Sequence, residues 1–244
     1  MTKTETTING GLTIGEYREG IRFGTDAFLL ADFARERVGN GNCADFGTGS
    51  GVLPLLLARH GCKAHFVAVE LQEKYAALAR ENADRNGYGE QIEVVHGDLR
   101  AYRELFAAGS MSAVISNPPY LPSDCGKKNV SDEKRMAWHD DTLKASELAD
   151  AAAWALKSGG KFFCVYLPSR LSGLFGALRA RAIEPKRVRL VAPSSEEAPS
   201  LLLVEAKKDA AEGLVWMPTL HLYSDRTHTS ESEELCEMYA RFGR

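Results

Sequence analysis

The sequence has no apolar run near the roughly 18–20 residues that span a bilayer, so a membrane helix is not expected. Its first nine residues are polar and rich in Thr. They lack the basic start and apolar centre of a signal peptide. The five cysteines (Cys43, Cys62, Cys125, Cys164, Cys236) are odd in number, scattered, and never form a C-x-x-C pair. That argues against a disulfide framework or a zinc site, so no metal is expected and a reducing cytoplasm is the simpler setting. Positive charge is not in excess: the formal net charge is -3 and the pI is about 6.1. A generic nucleic-acid binder usually shows a basic surface. A local basic strip can still hold such a substrate on an acidic protein. Internal repeats and low-complexity segments are also missing.

What is present is an ordinary globular composition, 244 residues with 44% hydrophobic. That suits one large α/β domain, or one domain with a short extension. Strand-like and helix-like segments alternate. Cys43–Phe46 is a short apolar strand running into a glycine turn, and residues 52–60 follow with the dense apolar face of a helix. A strand at 64–69 precedes a helix at 72–86, with Tyr75, Leu78, Ala79 and Ala83 on one side and Gly87 at its end. Strands follow at 92–95 and Met111–Ser116. A helix at 146–156 is expected to end at Gly159 and Gly160, before a strand at 161–167. A helix at 171–181 leads to two last strands, 188–192 and 200–206, joined by a polar hairpin. The alternation predicts a mostly parallel sheet with helices on both faces and an antiparallel final pair.

The first chemical signal is Asp45-Phe46-Gly47-Thr48-Gly49-Ser50-Gly51. Glycines between a strand and a helix allow a sharp turn and let a ligand lie against bare main chain. Alone, such a match is often an ordinary tight turn. Here Glu70 ends the next strand, where an acid can accept hydrogen bonds from both ribose hydroxyls of an adenosyl cofactor. The plainer reading of Glu70 is a solvated acid at a helix N-terminus. Asp98, after the third strand, can meet the cofactor's adenine amino group, although a loop Asp is common. The same logic fits a nicotinamide dehydrogenase, so the turn alone leaves that alternative open.

The second signal is Asn117-Pro118-Pro119-Tyr120 at the end of the fourth strand. Consecutive prolines fix the backbone and remove two N–H donors, leaving the Pro118 carbonyl rigidly aimed. Asn117 adds a side-chain carbonyl. The pair offers two acceptors for the two hydrogens of an exocyclic amine, and Tyr120 offers a flat face for a base. Such an amine is a poor nucleophile because its lone pair is delocalised. Two acceptors favour a more tetrahedral nitrogen and stabilise the positive charge that grows there. A proline turn with an incidental Tyr is the plainer alternative.

With these segments in this order, the chain resembles class I S-adenosylmethionine (SAM) methyltransferases of the N6-adenine and N5-glutamine type. The narrower resemblance is to bacterial enzymes that methylate adenine N6 at adenosine 37 of a valine tRNA. It rests further on Gly24-Thr25-Asp26-Ala27-Phe28-Leu29-Leu30, on Arg135-Met136-Ala137-Trp138-His139, and on residues 193–207. The resemblance implies a Rossmann-like, seven-stranded, mostly parallel sheet with an antiparallel C-terminal hairpin. It implies SAM as cofactor, held by Asp45, Gly47, Thr48, Gly49, Gly51, Glu70, Asp98 and Asn117, with Thr25 and Asp26 at its methionine end. Asn117, Pro118 and Tyr120 would carry the chemistry. RNA, specifically tRNA, is the partner implied, and DNA is not expected. The corresponding division is an N-terminal extension at 1–40, a methyltransferase domain at 41–208 and a tail at 209–244.

Two other readings stand beside this one. The first is methylation of a protein glutamine, as in release-factor modification. Enzymes of that kind carry a sizeable helical domain in front, and only about 40 residues precede the glycine turn here. The second is a SAM-binding scaffold without catalysis, against which the intact Asn-Pro-Pro-Tyr argues. Lys127, Lys128, Lys134 and Arg135 lie near the acceptor motif and could meet phosphates. Arg179, Arg181, Lys186, Arg187 and Arg189 form a second basic group, read rather as a solvated face. Trp138 and His139 lie in a loop that would cover the acceptor, while His60 and His65 read as surface and Trp154 as core.

Overall fold

The computed structural model describes residues 2–8, 11–19, 23–118 and 143–242. Tyr120, the loop at 121–141 and its residues Cys125, Lys127, Lys128, Lys134, Arg135, Trp138 and His139 lie outside the described residues. Among the described residues, no helix is long and apolar enough to cross a membrane.

The expected seven strands are β3 (Cys43–Phe46), β4 (Phe66–Glu70), β5 (Ile92–His96), β6 (Met111–Ser116), β7 (Leu156–Tyr166), β8 (Ile183–Ala192) and β9 (Leu201–Lys208). They lie in the order β8-β9-β7-β6-β3-β4-β5. All neighbours are parallel except β9, which is antiparallel to both β7 and β8. The helices are α1 (Thr25–Ala34), α2 (Val52–Arg59), α3 (Glu73–Arg85), α4 (Tyr102–Leu105), α5 (Ala145–Ala155), α6 (Leu171–Arg179) and α7 (Glu233–Phe242). Successive strand residues point to opposite faces, and the buried side chains divide accordingly. Phe28, Leu55, Phe66, Ile115 and Phe163 belong to one cluster. Phe46, Val114, Leu148, Phe162 and Leu174 belong to the other.

Three features differ from the sequence reading. Helix α5 ends at Ala155 and β7 begins at Leu156, so Gly159 and Gly160 sit inside a strand instead of terminating the helix. The register of β6 on β7 shifts between Met111 and Ala113, and Gly159 supplies the positive φ of 73° that this irregular entry requires. The N-terminal extension opens with a hairpin of β1 (Lys3–Ile8) and β2 (Leu12–Tyr17), paired from Lys3↔Tyr17 to Ile8↔Leu12, ahead of α1. Its Thr residues suit a strand because β-branched side chains pack well on a pleated surface.

Two asparagines one turn apart, Asn82 on α3 and Asn86 at its C-cap, hold that hairpin. Asn82 Oδ1 accepts the Gly15 N–H at 2.8 Å, and its Nδ2 donates to the Gly15 carbonyl at 3.1 Å. Asn86 does the same for Thr13, at 2.8 and 2.9 Å. Their amides thus stand in for a neighbouring strand. Asn82 Nδ2 also donates to Ser50 O at 2.8 Å, which ties the hairpin to the glycine turn.

The third difference is the C-terminal segment. It adds β10 (Val215–Trp216) and β11 (Leu220–His221), both parallel to β8, making a nine-stranded sheet. Helix α7 then packs on α1. Its buried residues Leu235, Met238, Tyr239 and Phe242 follow the i, i+3, i+4, i+7 spacing of one helix face. The rings of Tyr239 and Phe242 meet Phe28 edge-on at 5.6 and 6.0 Å.

Candidate active site

Four strand ends gather at one edge of the sheet. Phe46 of β3 is level with Val69 of β4 and Ser116 of β6, and Glu70 is level with His96 of β5. Asp45, Glu70, Asp98 and Asn117 therefore stand at the carboxyl ends of parallel strands, where open α/β sheets bind ligands. The edge is braced internally. Gly47 and Thr48 donate their N–H groups to Val69 O at 2.9 and 3.0 Å, and the Ser116 hydroxyl donates to Phe46 O at 2.9 Å.

The glycine turn leaves room beside it. Gly47 and Gly49 have φ of 76° and 58°, a region that side chains avoid, and a Cβ at either would meet nothing within 4 Å. Gly51, at the α2 N-terminus, answers a packing need instead: a Cβ there would come within 3.2 Å of Ala79 Cβ. The turn thus offers bare main chain facing open space.

Asp45 is 1% exposed, yet neither carboxylate oxygen has a hydrogen-bond partner among the described residues, and the buried Thr48 hydroxyl has none either. Orphaned buried polar atoms are uncommon and ask for a missing partner. Burial pushes the Asp45 carboxyl up to about 7; the nearby Thr48 hydroxyl draws it down and Glu70 raises it further. Glu70 is also buried. Its Oε2 accepts the Gly49 N–H and its Oε1 the Gln72 N–H, each at 2.9 Å. Burial raises its pKa, while the Gln72, Gly49 and Leu71 amides and His96 oppose the rise. Each oxygen retains a second lone pair for a ligand hydroxyl. An anion at this turn would face two acids, so a pyrophosphate is disfavoured and a cationic, hydroxyl-bearing ligand suits it. The orphaned carboxylate, the open glycines and the Glu70 carboxylate fit an adenosyl sulfonium cofactor.

Asp98 is engaged differently. Its oxygens accept from the Arg100 backbone N–H and guanidinium at 2.9 Å, and that pairing holds its carboxyl below the usual range. The sequence reading did not foresee this partner. Asn117 is half-buried and Pro118 buried. Asn117 Nδ2 donates to Asp26 Oδ2 at 3.0 Å, which brings the N-terminus of α1 to the acceptor segment. Thr25 Oγ1 lies 2.8 Å from Tyr239 Oη, so the C-terminal helix reaches the same corner. Tyr239 was missed by sequence reasoning, although the apolar spacing around it marks an amphipathic helix. Tyr120 lies outside the described residues.

The second basic group is matched by acids or carbonyls. Arg179 pairs with Glu184 at 3.0 Å and also with Glu212, and Arg181 pairs with Asp150 at 2.6 Å. Lys186 donates to Ala211 O at 3.0 Å, Arg187 pairs with Glu205 at 3.1 Å, and Arg189 with Glu234.

Comparison with known proteins agrees with this geometry. The family model described as "Methyltransferase small domain" matches residues 18–181. A protein of Bacteroides fragilis named tRNA1(Val) (adenine(37)-N6)-methyltransferase is 30% identical over 218 residues, which cover 87% of this chain and 90% of the relative. An Escherichia fergusonii protein of the same name is 31% identical, covering 86% and 80%. Among solved structures, a predicted O-methyltransferase from Agrobacterium tumefaciens superposes with a TM-score of 0.70 at 21% identity, covering 89% of this chain and 96% of that one. A SAM-dependent O-methyltransferase from Thermotoga maritima gives 0.54 at 21%, covering 80% and 69%. At such identities the structures speak for the fold. With the family model and near full-length relatives in agreement, the chain belongs to the methyltransferase small-domain family, alongside the proteins named tRNA1(Val) (adenine(37)-N6)-methyltransferase.

Proposed function

We propose that this protein transfers a methyl group from SAM to the exocyclic N6 of an adenine in tRNA, with adenosine 37 of the anticodon loop as target. The observation that carries the reading is the placement of Asn117 and Pro118 beside the acid-lined glycine turn. The relatives' names support the adenine and the tRNA.

Asn117 Oδ1 and the Pro118 carbonyl accept the two N–H bonds of the amine. They hold the nitrogen toward the cofactor and stabilise the charge that develops on it. When bound, SAM supplies a sulfonium-activated methyl group, so the protein's task is mainly alignment. Glu70 takes the ribose hydroxyls with its remaining lone pairs, and Asp98 meets the adenine amino group. Asp45 and Thr48 fill their open hydrogen-bonding capacity with the cofactor. Gly47 and Gly49 let it lie on the main chain, Gly51 seats the turn against Ala79 of α3, and Thr25 stands at its methionine end, with Asp26 turned to Asn117. Tyr120 stacks on the acceptor base. Residues 41–208 carry the chemistry, while 1–40 and 209–244 shape its cofactor side. A loop base is presented with little unstacking, and a tRNA substrate places the reaction in the cytoplasm.

The test uses tritiated SAM with either bulk tRNA lacking the modification or a release factor, followed by digestion. Labelled N6-methyladenosine is expected. N5-methylglutamine as the labelled product, or no label in tRNA, overturns the reading.

A further inference from the structure

The side-chain amide of Asn117 has two ends of nearly the same shape, a carbonyl that accepts and an amino group that donates. Only the carbonyl can receive an N–H from the substrate amine. A flipped amide would set its own hydrogens against those of the amine. The backbone of an Asn-Pro-Pro segment does not choose between the two orientations.

Asp26 does. An ionised carboxylate only accepts, so the end of the amide that meets it must be Nδ2, as the 3.0 Å contact has it. A flip would bring Oδ1 against the carboxylate and exchange a charge-assisted hydrogen bond for repulsion. The carboxylate is itself fixed, because Asp26 Oδ1 accepts the Ala27 N–H at 3.0 Å in the first turn of α1. Gly24 makes space for it: a Cβ at Gly24 would come within 2.9 Å of Asp26 Oδ1. Gly24 has φ -122° and ψ -169°, open to any residue, so its small size serves the carboxylate and not the backbone.

Resting on the methyl-transfer reading above, we propose that Asp26 is a positioning residue whose carboxylate locks Asn117 with its carbonyl toward the acceptor amine. Its role is then distinct from that of a cofactor ligand. Gly24 belongs to the same device.

Three variants and two readouts test this. In Asp26→Ala, turnover on unmodified tRNA falls on the order of a hundred-fold, while the Kd for SAM stays within a few-fold of wild type. Asp26→Asn recovers part of the activity, because its amide oxygen can still receive Asn117 Nδ2. Gly24→Ala keeps the charge but displaces it, and turnover falls as in Asp26→Ala. The second readout needs neither substrate nor cofactor. The Asn117 side-chain amide signals, assigned by their loss in Asn117→Ala, shift and exchange faster with solvent in Asp26→Ala than in wild type. Unmoved signals overturn the proposal whatever the substrate is. A loss of SAM affinity in step with turnover overturns it in favour of a cofactor ligand. Wild-type protein that fails to label tRNA overturns the substrate reading alone, since the amide signals still report the lock.

Discussion

Asn117 and Asp26, 91 positions apart in sequence, meet through a 3.0 Å hydrogen bond that joins the end of β6 to the start of α1. The acceptor residue is thereby held by two elements, one on the sheet and one above it. In the proposed mechanism, Asn117→Ala removes one of the two acceptors for the substrate amine. Turnover should fall by at least about a hundred-fold, the usual effect of deleting one group that stabilises developing charge. SAM affinity should change little, because the glycine turn, Asp45 and Glu70 are untouched. Calorimetric titration of SAM beside a radiolabel assay measures both, and full activity in the variant would sink the mechanism.

Asp45 predicts a pH dependence with a defined sign. Its carboxyl sits at about 7 in the folded protein, raised by burial, against roughly 3.9 in the unfolded chain. Below about pH 4 both states hold the proton. As pH rises from about 4 to about 7 the unfolded chain releases it first, so stability of the free protein falls across that window and then levels off. The full loss is on the order of 4 kcal/mol at about 1.4 kcal/mol per unit. Asp45→Asn removes it, so the variant gains stability over wild type at pH 8 and differs little at pH 4, as urea melts at the two pH values would show. A cationic ligand favours the ionised carboxylate. SAM binding near pH 6 should therefore release a proton in wild type and none in the variant, whose affinity is also weaker. Calorimetry in buffers of different ionisation enthalpy reads that difference.

The central sheet and the positions of the glycine turn, Glu70 and Asn117 were legible because both are written locally. Apolar runs alternate with helical spacing from Cys43 to Lys208, and the glycine turn, Glu70 and Asn117 fall where strands end. What was not legible depends on partners distant in sequence. The β1–β2 hairpin has no long apolar face to announce it, and it is held by side-chain amides of Asn82 and Asn86, which nothing in its own sequence encodes. Gly159 and Gly160 look like a helix stop until the register shift between β6 and β7 draws them into a strand. Arg100 closes on Asp98, and Tyr239 on Thr25, only once the fold brings them together.

Helix α7 yields a prediction about the tail. Phe242 is buried and packs on Phe28 of α1 and on the ring of His60, whose centroid lies 4.3 Å away. Phe242→Ala should lower stability by about 3–5 kcal/mol, the range for deleting a buried aromatic side chain. Tyr239→Phe keeps the packing and removes the hydroxyl that meets Thr25, for about 0.5–1.5 kcal/mol. Thermal melts of the two variants should separate by that margin. Equal, negligible effects would show that α7 does not hold α1.

Asn82 carries a concentrated polar load. It is fully buried and satisfies the Gly15 N–H, the Gly15 carbonyl and the Ser50 carbonyl at once. Asn82→Ala strands all three, and a buried group left without a partner costs about 1–3 kcal/mol. The hairpin and the glycine turn share this one side chain, so the loss should appear in both places. The variant should melt several degrees below wild type, with amide exchange at Gly15 accelerated, and SAM affinity should drop because Ser50 lies within the turn. Asn82→Leu separates the causes, since it restores apolar volume but no hydrogen bond. If the leucine variant recovers the melting temperature and SAM affinity, packing rather than the amide holds the hairpin. If it does not, the three hydrogen bonds are what couple residues 3–17 to the cofactor turn.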